Sequence, residues 1–357
     1  MRQKIQNIKT WMNKNNKYLM PLSLVLGFVV DSLTLTRVDR LFENIVFISY
    51  LFLAIVGIFI FNYLQNKNSS QEKVYIVSPY IIQFMFGGLF SGFAVLYLRS
   101  GSISSSWFFI LILLVLMLGN EIFKKKYEHF VLQITIFFTG LFFYLIFAVP
   151  MLLNMISATV FIASGVASLI LICLVIYLFS FALREQIRKS YKHIALSILS
   201  VFVLINILYF ANIIPPIPLS LRVGDVYHYI SKVAGGYNVA GEPQKGILDF
   251  KEVVHIQQGD PVYAYSAVFA PVDINTDIFH HWQYFDPNKK KWNTESRITF
   301  PISGGNLRGY RGYSYKTNLK EGKWRVSVET DRGQVIGRIP FKILYTDTTP
   351  ILEEKVL

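Results

Sequence analysis

The sequence predicts an α-helical transmembrane bundle of about seven helices, followed by an all-β, immunoglobulin-like antiparallel sandwich. Hydrophobic residues make up 53% of the 357 residues, and the mean hydropathy of +0.42 is high for a water-soluble protein. The apolar content lies in long runs before the proline-rich stretch that begins at Pro215, whereas short alternating segments follow that stretch. Because proline disfavours helix in the residue before it, we expect the last helix to end there and a second domain to begin.

Seven apolar runs approach or exceed the ~20 residues that cross a bilayer. The predicted membrane domain, residues 1–214, has helices at about 18–36, 41–64, 78–98, 103–123, 130–149, 154–182 and 193–214. The first run lacks a small-residue cleavage site and contains Asp31, so we interpret it as an uncleaved helix and not as a signal peptide.

Basic residues predict the orientation of the bundle. With the N-terminus in the cytoplasm, the cytoplasmic segments carry 14 Lys and Arg residues and the outer loops carry three. This bias matches the positive-inside rule and places the C-terminal domain outside the cytoplasm. Most of the net charge of +13 lies in these loops, so the charge orients helices and does not indicate nucleic-acid binding. We therefore predict a multi-pass membrane protein, with the lipid bilayer as its first partner.

A charged hairpin between the first two helices contains Asp31, Arg37 and Arg40. One interpretation is an intramembrane polar site for an ion, a proton or a substrate gate. The alternative is a salt-bridged corner that fixes the hairpin. Cys173 is the only cysteine, so an intrachain disulfide is excluded.

After a proline-rich linker at 215–222, strands separated by Gly, Asp, Asn and Pro turns predict a β-sandwich over residues 223–345 and a flexible tail at 346–357. In the segment Trp324–Glu329, Trp324, Val326 and Val328 share one face, as in a half-buried strand.

Short motifs in this domain carry a family resemblance. His281-Trp282, a basic aromatic segment, Gly322-Lys323-Trp324-Arg325-Val326 and Gly333-Gln334-Val335-Ile336 occur in that order. The pattern resembles the bacterial domain of unknown function 2914, and the preceding helices resemble membrane proteins that carry it. The resemblance implies this architecture and a location in a bacterial cytoplasmic membrane, and it implies no catalytic residues.

The residue patterns favour a binding protein over an enzyme. His280 and His281 point to opposite faces of a strand, so we expect neither a metal nor another cofactor. Ser266, His281 and Asp277 could form a triad on paper, but no nucleophile motif accompanies them. The candidate ligand-binding surface combines aromatic and cationic side chains: Trp282, Trp292, Arg308, Tyr310, Arg311 and Tyr313. The alternative is a strand whose tyrosines fill the sandwich and whose arginines are solvated.

Two functions follow. The first is a non-enzymatic membrane protein whose extracytoplasmic sandwich binds a protein or envelope ligand, in sensing or assembly. The second is transport or lipid handling by the bundle, with Asp31 in the working site. The sequence leaves homo-oligomerisation open.

Overall fold

The computed structural model describes residues 28–35, 41–67, 73–100, 103–122, 129–216, 219–243, 252–270, 276–302 and 306–357. The chain divides into two compact units, a helical one and a β-rich one that consists chiefly of Ala211–Leu357. A helical N-terminal region is therefore followed by a β-rich C-terminal domain, in the order that the sequence predicts.

Apolar helices form the first unit. They are α1 (residues 28–34), α2 (Leu41–Asn66), α3 (Lys73–Ser100), α4 (Ile103–Ile122), α5 (Phe130–Leu153) and α6 (Ala158–Phe210). Residues 18–27 of the predicted first helix lie outside the described residues, as do Arg37 and Arg40. Within the described residues, four helices are long and apolar enough to cross a membrane: α2, most of α3, α5 and α6.

The predicted number of seven helices is not confirmed, because α6 occupies the place of the predicted helices six and seven. The predicted loop at 183–192 is helical except at Leu183, where the backbone leaves the helical region (φ −117°, ψ 28°). Its residues favour helix, and Glu185 and Lys189 form an i,i+4 ion pair of 2.7 Å. Hydropathy marks where an apolar run ends, which is not always where a helix ends.

The two halves of α6 pack against each other. Phe161 and Tyr209 stack with ring centroids 3.5 Å apart, and a Cβ atom on Gly165 would lie 3.0 Å from Phe202. A straight helix of 53 residues would extend ~80 Å, far more than the ~30 Å of bilayer hydrocarbon. Contacts between residues so distant in sequence require the chain to fold back near Leu183.

Small residues allow close packing of α3 against α2 at Gly88 and Gly92. A Cβ atom on Gly88 would lie 2.8 Å from the Tyr50 ring, and one on Gly92 would lie 2.8 Å from Phe47. Phe47 in turn stacks on Phe93 at 5.0 Å. These positions pack helices within one bundle.

Eleven strands are described in the second unit. They are β1 (Ser220–Tyr227), β2 (Tyr229–Val233), β3 (Gly236–Gly241), β4 (Glu252–Ile256), β5 (Val262–Ala270), β6 (Thr276–Asp286), β7 (Lys291–Ile302), β8 (Asn306–Lys316), β9 (Gly322–Thr330), β10 (Val335–Tyr345) and β11 (Glu353–Val356). They form sheets in the orders β1-β5-β8, β4-β10-β9-β6-β7 and β11-β3-β2. All pairs are antiparallel except β10 with β4.

The first two sheets enclose one hydrophobic core. Val226, Val262 and Val268 from the three-stranded sheet join Trp282, Trp324 and other residues of the five-stranded sheet in a single buried cluster. Alternate residues of each strand supply this core, as expected for packed sheets.

The third sheet covers part of the opposite face of β1-β5-β8. Tyr227, Tyr265 and Ala267, which alternate with core residues, form a second cluster with Ile230 of β2 and Val239 of β3. The predicted flexible tail at 346–357 instead supplies β11 to this sheet, and Leu357 exchanges two backbone hydrogen bonds with Tyr237 (2.9 and 3.1 Å). All four residues of β11 are exposed, so its pattern lacks the apolar alternation that marks a strand.

Residues 214–216, where the proline-rich connector begins, pack within the β-rich unit. Ile214, Pro215 and Pro216 are buried, Gln334 Nε2 donates to the Ile214 carbonyl (3.4 Å), and Leu219 N donates to the Pro216 carbonyl (3.0 Å). β1 begins at Ser220, so the predicted linker at 215–222 overlaps the first strand.

Candidate ligand-binding face

Tyrosines lie in cross-strand rows on the face of β1-β5-β8 that points away from the main core. Tyr263 lies between Tyr227 and Tyr315 in one row, and Tyr265 lies between Asp225 and Tyr313 in the next. Directly opposed side chains of neighbouring strands are close enough to interact, so the register itself assembles the aromatic group.

Ring contacts join these residues to two tyrosines of the third sheet. Tyr263 is the centre: its ring centroid lies 5.4 Å from Tyr315, 6.0 Å from Tyr313 and 6.2 Å from Tyr229. Tyr237 lies 5.8 Å from Tyr313 and 5.6 Å from Tyr265. We call these six residues the tyrosine face: Tyr229, Tyr237, Tyr263, Tyr265, Tyr313 and Tyr315.

The tyrosine face is buried at one end and open at the other. Tyr265 is buried, which raises the pKa of its phenol. Tyr315, Tyr229 and Tyr313 are 57%, 52% and 37% exposed. Exposed tyrosines held by neighbouring rings present apolar area and hydroxyl groups at a low entropic cost. The arrangement suits the binding of a ligand with both apolar and polar surface.

Arg311 supports the tyrosine face from within the domain. Its Nη1 donates to the Leu357 carbonyl (2.8 Å), and its own carbonyl accepts a hydrogen bond from the Tyr237 hydroxyl (3.3 Å). The sequence predicts Arg311 as a ligand-binding residue, but its guanidinium group has a structural partner that links β8 to the third sheet.

Two other predicted surface residues belong to the interior. Trp282 is 0% exposed and its Nε1 donates to Ser314 Oγ (2.9 Å), so its assignment to a ligand-binding surface is wrong. Tyr310 packs against the main core. Both residues occupy inward positions of their strands, whereas Tyr313 faces outward. The side chain of Arg308 lies outside the described part of the structure.

Trp292 lies apart from the tyrosine face, on the outer side of the five-stranded sheet. The Arg325 guanidinium lies 4.1 Å from its ring centroid, and Phe285 contacts it at 5.3 Å. Burial, with the nearby Arg338, lowers the pKa of Arg325 to about 10. His281 and Glu329 (3.1 Å) pair on the same side. The predicted surface is thus divided between two sheets.

A buried hydrogen-bonded network lies between the sheets. His280 Nε2 lies 2.8 Å from Ser266 Oγ and its Nδ1 lies 2.8 Å from Ser314 Oγ. Burial lowers the pKa of His280 to about 3, so the ring is neutral at pH 7. Ser266 contacts His280 and not His281. The catalytic triad of Ser266, His281 and Asp277 that the sequence allows is therefore not formed.

Glu242 links two other histidines. Its Oε1 lies 3.1 Å from His228 Nε2 and accepts a hydrogen bond from His255 N (2.6 Å), and its Oε2 lies 2.8 Å from His255 Nδ1. Partial burial raises the pKa of this carboxyl, but the hydrogen bonds from His255 and His228 outweigh it and the net pKa is lowered. Among the described residues, no group of three or more His, Cys, Asp and Glu side chains is arranged to hold a metal ion.

In the helical unit, Asp31 is buried and faces Ser91 of α3. A second polar cluster, which sequence reasoning missed, joins three helices. Asn62 Nδ2 donates to Gln133 Oε1 (2.6 Å), and Gln186 Nε2 donates to Asn62 Oδ1 (2.7 Å). Amide pairs of this kind join helices within a bilayer.

Residues 275–343 match the family described as protein of unknown function DUF2914. The C-terminal region carries a DUF2914 domain. The match begins just before β6 and ends within β10, so it includes His280, Trp282 and the outward residues of β8. The resemblance drawn from the sequence motifs is confirmed for this region.

Other comparisons are distant. No curated protein matches the chain significantly. An immunoglobulin-like protein from Pseudomonas aeruginosa is 9% identical and covers 35% of this chain and 96% of its own, with a TM-score of 0.20. Alkylpurine DNA glycosylase AlkC of Pseudomonas fluorescens is 8% identical and covers 86% of this chain and 99% of its own, with a TM-score of 0.24.

Proposed function

We propose that this chain is a non-enzymatic, multi-pass membrane protein whose DUF2914 domain is an immunoglobulin-like sandwich that binds a protein or envelope ligand outside the cytoplasm. The observation that supports binding is the tyrosine face, in which exposed rings are fixed by tyrosines beneath and beside them. Four apolar helices support membrane insertion, and the bias of basic residues supports the orientation.

Tyrosine carries much of the binding energy in protein interfaces because one side chain supplies both apolar contact and a hydroxyl group. On the tyrosine face, Tyr263 contacts three other rings. Its loss would leave Tyr229 and Tyr315 without their common neighbour. Replacement of Tyr263 should therefore disrupt the tyrosine face, and Tyr263 is not part of the main core cluster.

The test places a photo-crosslinking amino acid at Tyr229 in the intact protein in its own membrane. We expect an adduct at Tyr229 and none at Tyr345, a control tyrosine on β10 that is 41% exposed. Tyr263→Ala should lower the yield about tenfold, as expected from the loss of about 1.4 kcal/mol. Digestion by protease or by a cell-wall hydrolase then identifies the ligand class.

Equal crosslinking yields at Tyr229 and Tyr345, or a yield at Tyr229 that Tyr263→Ala does not change, would contradict ligand binding at the tyrosine face. The second candidate, transport or lipid handling, rests on the buried carboxyl group of Asp31. If Asp31→Asn abolishes the physiological activity of a folded, inserted protein while Tyr263→Ala does not, the bundle is the working part and the binding proposal fails.

A further inference from the structure

Strand β8 lies at an end of its sheet and, among the described strands, hydrogen-bonds to β5 alone. It pairs with β5 in regular register from Tyr310 to Lys316, and the one irregularity lies beyond that segment, between Val268 and Ala270. An edge strand presents unpaired N–H and C=O groups that can accept another strand.

The other sheet edges carry features that hinder such pairing. β7 contains Pro301, and its register shifts opposite Trp282 and Gln283. β1 has a register shift between Leu221 and Val223. β4, β2 and β11 have five, five and four residues. Proline, bulges and shortness protect edges in natural sheets. In contrast, β8 has 11 residues, and its segment 310–316 contains no proline.

The space beside β8 is open. A cleft of about 610 Å³ lies along it, lined by Ser296 and Ile298 of β7 and by residues 313–317. The hydroxyl group of Ser296 is buried and has no hydrogen-bond partner among the described residues. Edge backbone, a buried hydroxyl group and exposed tyrosine rings thus line one accessible groove.

We propose that β8 pairs with β8 of a second copy of this chain, antiparallel and about a two-fold axis at Tyr313. The regular segment 310–316 is centred on Tyr313, so this register uses its full length. It sets Arg311 opposite Tyr315 and Lys316 opposite Tyr310, and no two cations oppose each other. A two-fold interface requires such self-complementarity.

Pairing would join two three-stranded sheets into one sheet of six strands. The tyrosine face of one copy would continue into that of the second, because Tyr313 and Tyr315 lie on the strand that forms the junction. The inference goes beyond the proposed function, since a paired β8 is expected whether or not the tyrosine face binds a ligand. A common membrane also raises the effective concentration of the two copies.

The first test is disulfide crosslinking of the full-length protein in its own membrane, in a Cys173→Ser background. Directly opposed residues of antiparallel strands have Cα atoms ~4.5–5.5 Å apart, within the range of a disulfide. We expect Tyr313→Cys to give homodimers on oxidation and the Tyr345→Cys control to give none. Equal yields at both positions, or no homodimer at Tyr313, would overturn the pairing.

The second test places charges at Tyr313, which the proposed two-fold axis sets opposite Tyr313 of the second copy, and it does not depend on oxidation. Two differently tagged copies are expressed together, and each is purified by its own tag. Because like charges directly opposite each other are unfavourable, Tyr313→Lys and Tyr313→Glu should each lose co-purification, whereas a Lys copy with a Glu copy should regain it. Co-purification of the Lys variant with the Glu variant would also show that both variants fold.

Co-purification unaffected by either single charge would overturn the proposal, as would loss in the mixed pair. If a photo-crosslinker at Tyr313 captures a different protein and no second copy, the occupant of the edge is a foreign strand and the proposal is wrong.

Discussion

Replacing Trp282 with alanine should destabilise the β-rich domain by about 3–5 kcal/mol, the usual cost of deleting a large aromatic side chain from a core. Trp282 is fully buried, contacts Phe341 edge to face at 6.0 Å and donates to Ser314 Oγ at 2.9 Å. The variant loses apolar burial and leaves a cavity. Since the free energy of unfolding of a whole domain is only ~5–15 kcal/mol, the expected loss is a large fraction of the domain's stability.

The measurement is urea unfolding of the detergent-solubilised protein, followed by near-UV circular dichroism. Trp292→Ala is the matched control, because it loses the same atoms from an outer face. Its contacts with Arg325 and Phe285 predict a loss of about 1 kcal/mol. Comparable losses for the two tryptophans would contradict the assignment of Trp282 to the core.

The β-rich domain should lose stability in mild acid because of His280. Its pKa is lowered by burial to about 3 in the folded domain, whereas an exposed histidine has a pKa of ~6.5. Below pH ~6.5 the unfolded chain binds a proton that the folded domain does not. The contribution of this residue therefore falls by about 1.4 kcal/mol per pH unit, or about 2 kcal/mol between pH 6.5 and 5.

The pH dependence is read from unfolding free energies at pH 7 and pH 5 for the unmodified protein and for His280→Gln, which removes the titrating group. The free energy of unfolding should differ between pH 7 and pH 5 by about 2 kcal/mol less in the variant than in the unmodified protein. His193→Gln, which removes an exposed histidine of α6, provides the control. An unchanged difference in His280→Gln would show that His280 titrates in the folded domain.

Sequence patterns predicted the parts of the fold that depend on burial. The alternation at Trp324, Val326 and Val328 matches β9, whose residues at these positions are buried. Short segments separated by turn residues indicated that the C-terminal region is rich in β-strands, which the structure confirms. β11 was missed because Glu353 and Lys355 carry charges and the strand is exposed. Backbone pairing with β3, which no side-chain pattern records, holds it in place.

The candidate site was only partly predictable for a related reason. Composition drew attention to the segment 308–316, but only strand register decides which face a residue takes. Register places Tyr313 outward beside Tyr263 and Tyr237, and it places Tyr310 and Trp282 inward. Tyr229, Tyr237 and Tyr263 lie 50 or more positions before Tyr313, so no local motif could associate them.

The fold-back of α6 near Leu183 could not be predicted from the sequence for a different reason. The polar residues from Arg184 to Lys192 separate two apolar runs, a pattern that is typical of a loop between two helices. The same residues are good helix formers, and only Leu183 departs from helical geometry. Long-range contacts such as that of Phe161 with Tyr209 reveal the fold-back.

Our central proposal is that apolar helices present the β-rich domain outside the cytoplasm, where the tyrosine face binds its ligand. The most direct test fuses a reporter after Leu357 that is active only outside the cytoplasm, and in parallel one that is active only inside. We predict activity from the external reporter alone. Activity from the cytoplasmic reporter alone would place the tyrosine face on the wrong side of the membrane and contradict the proposal.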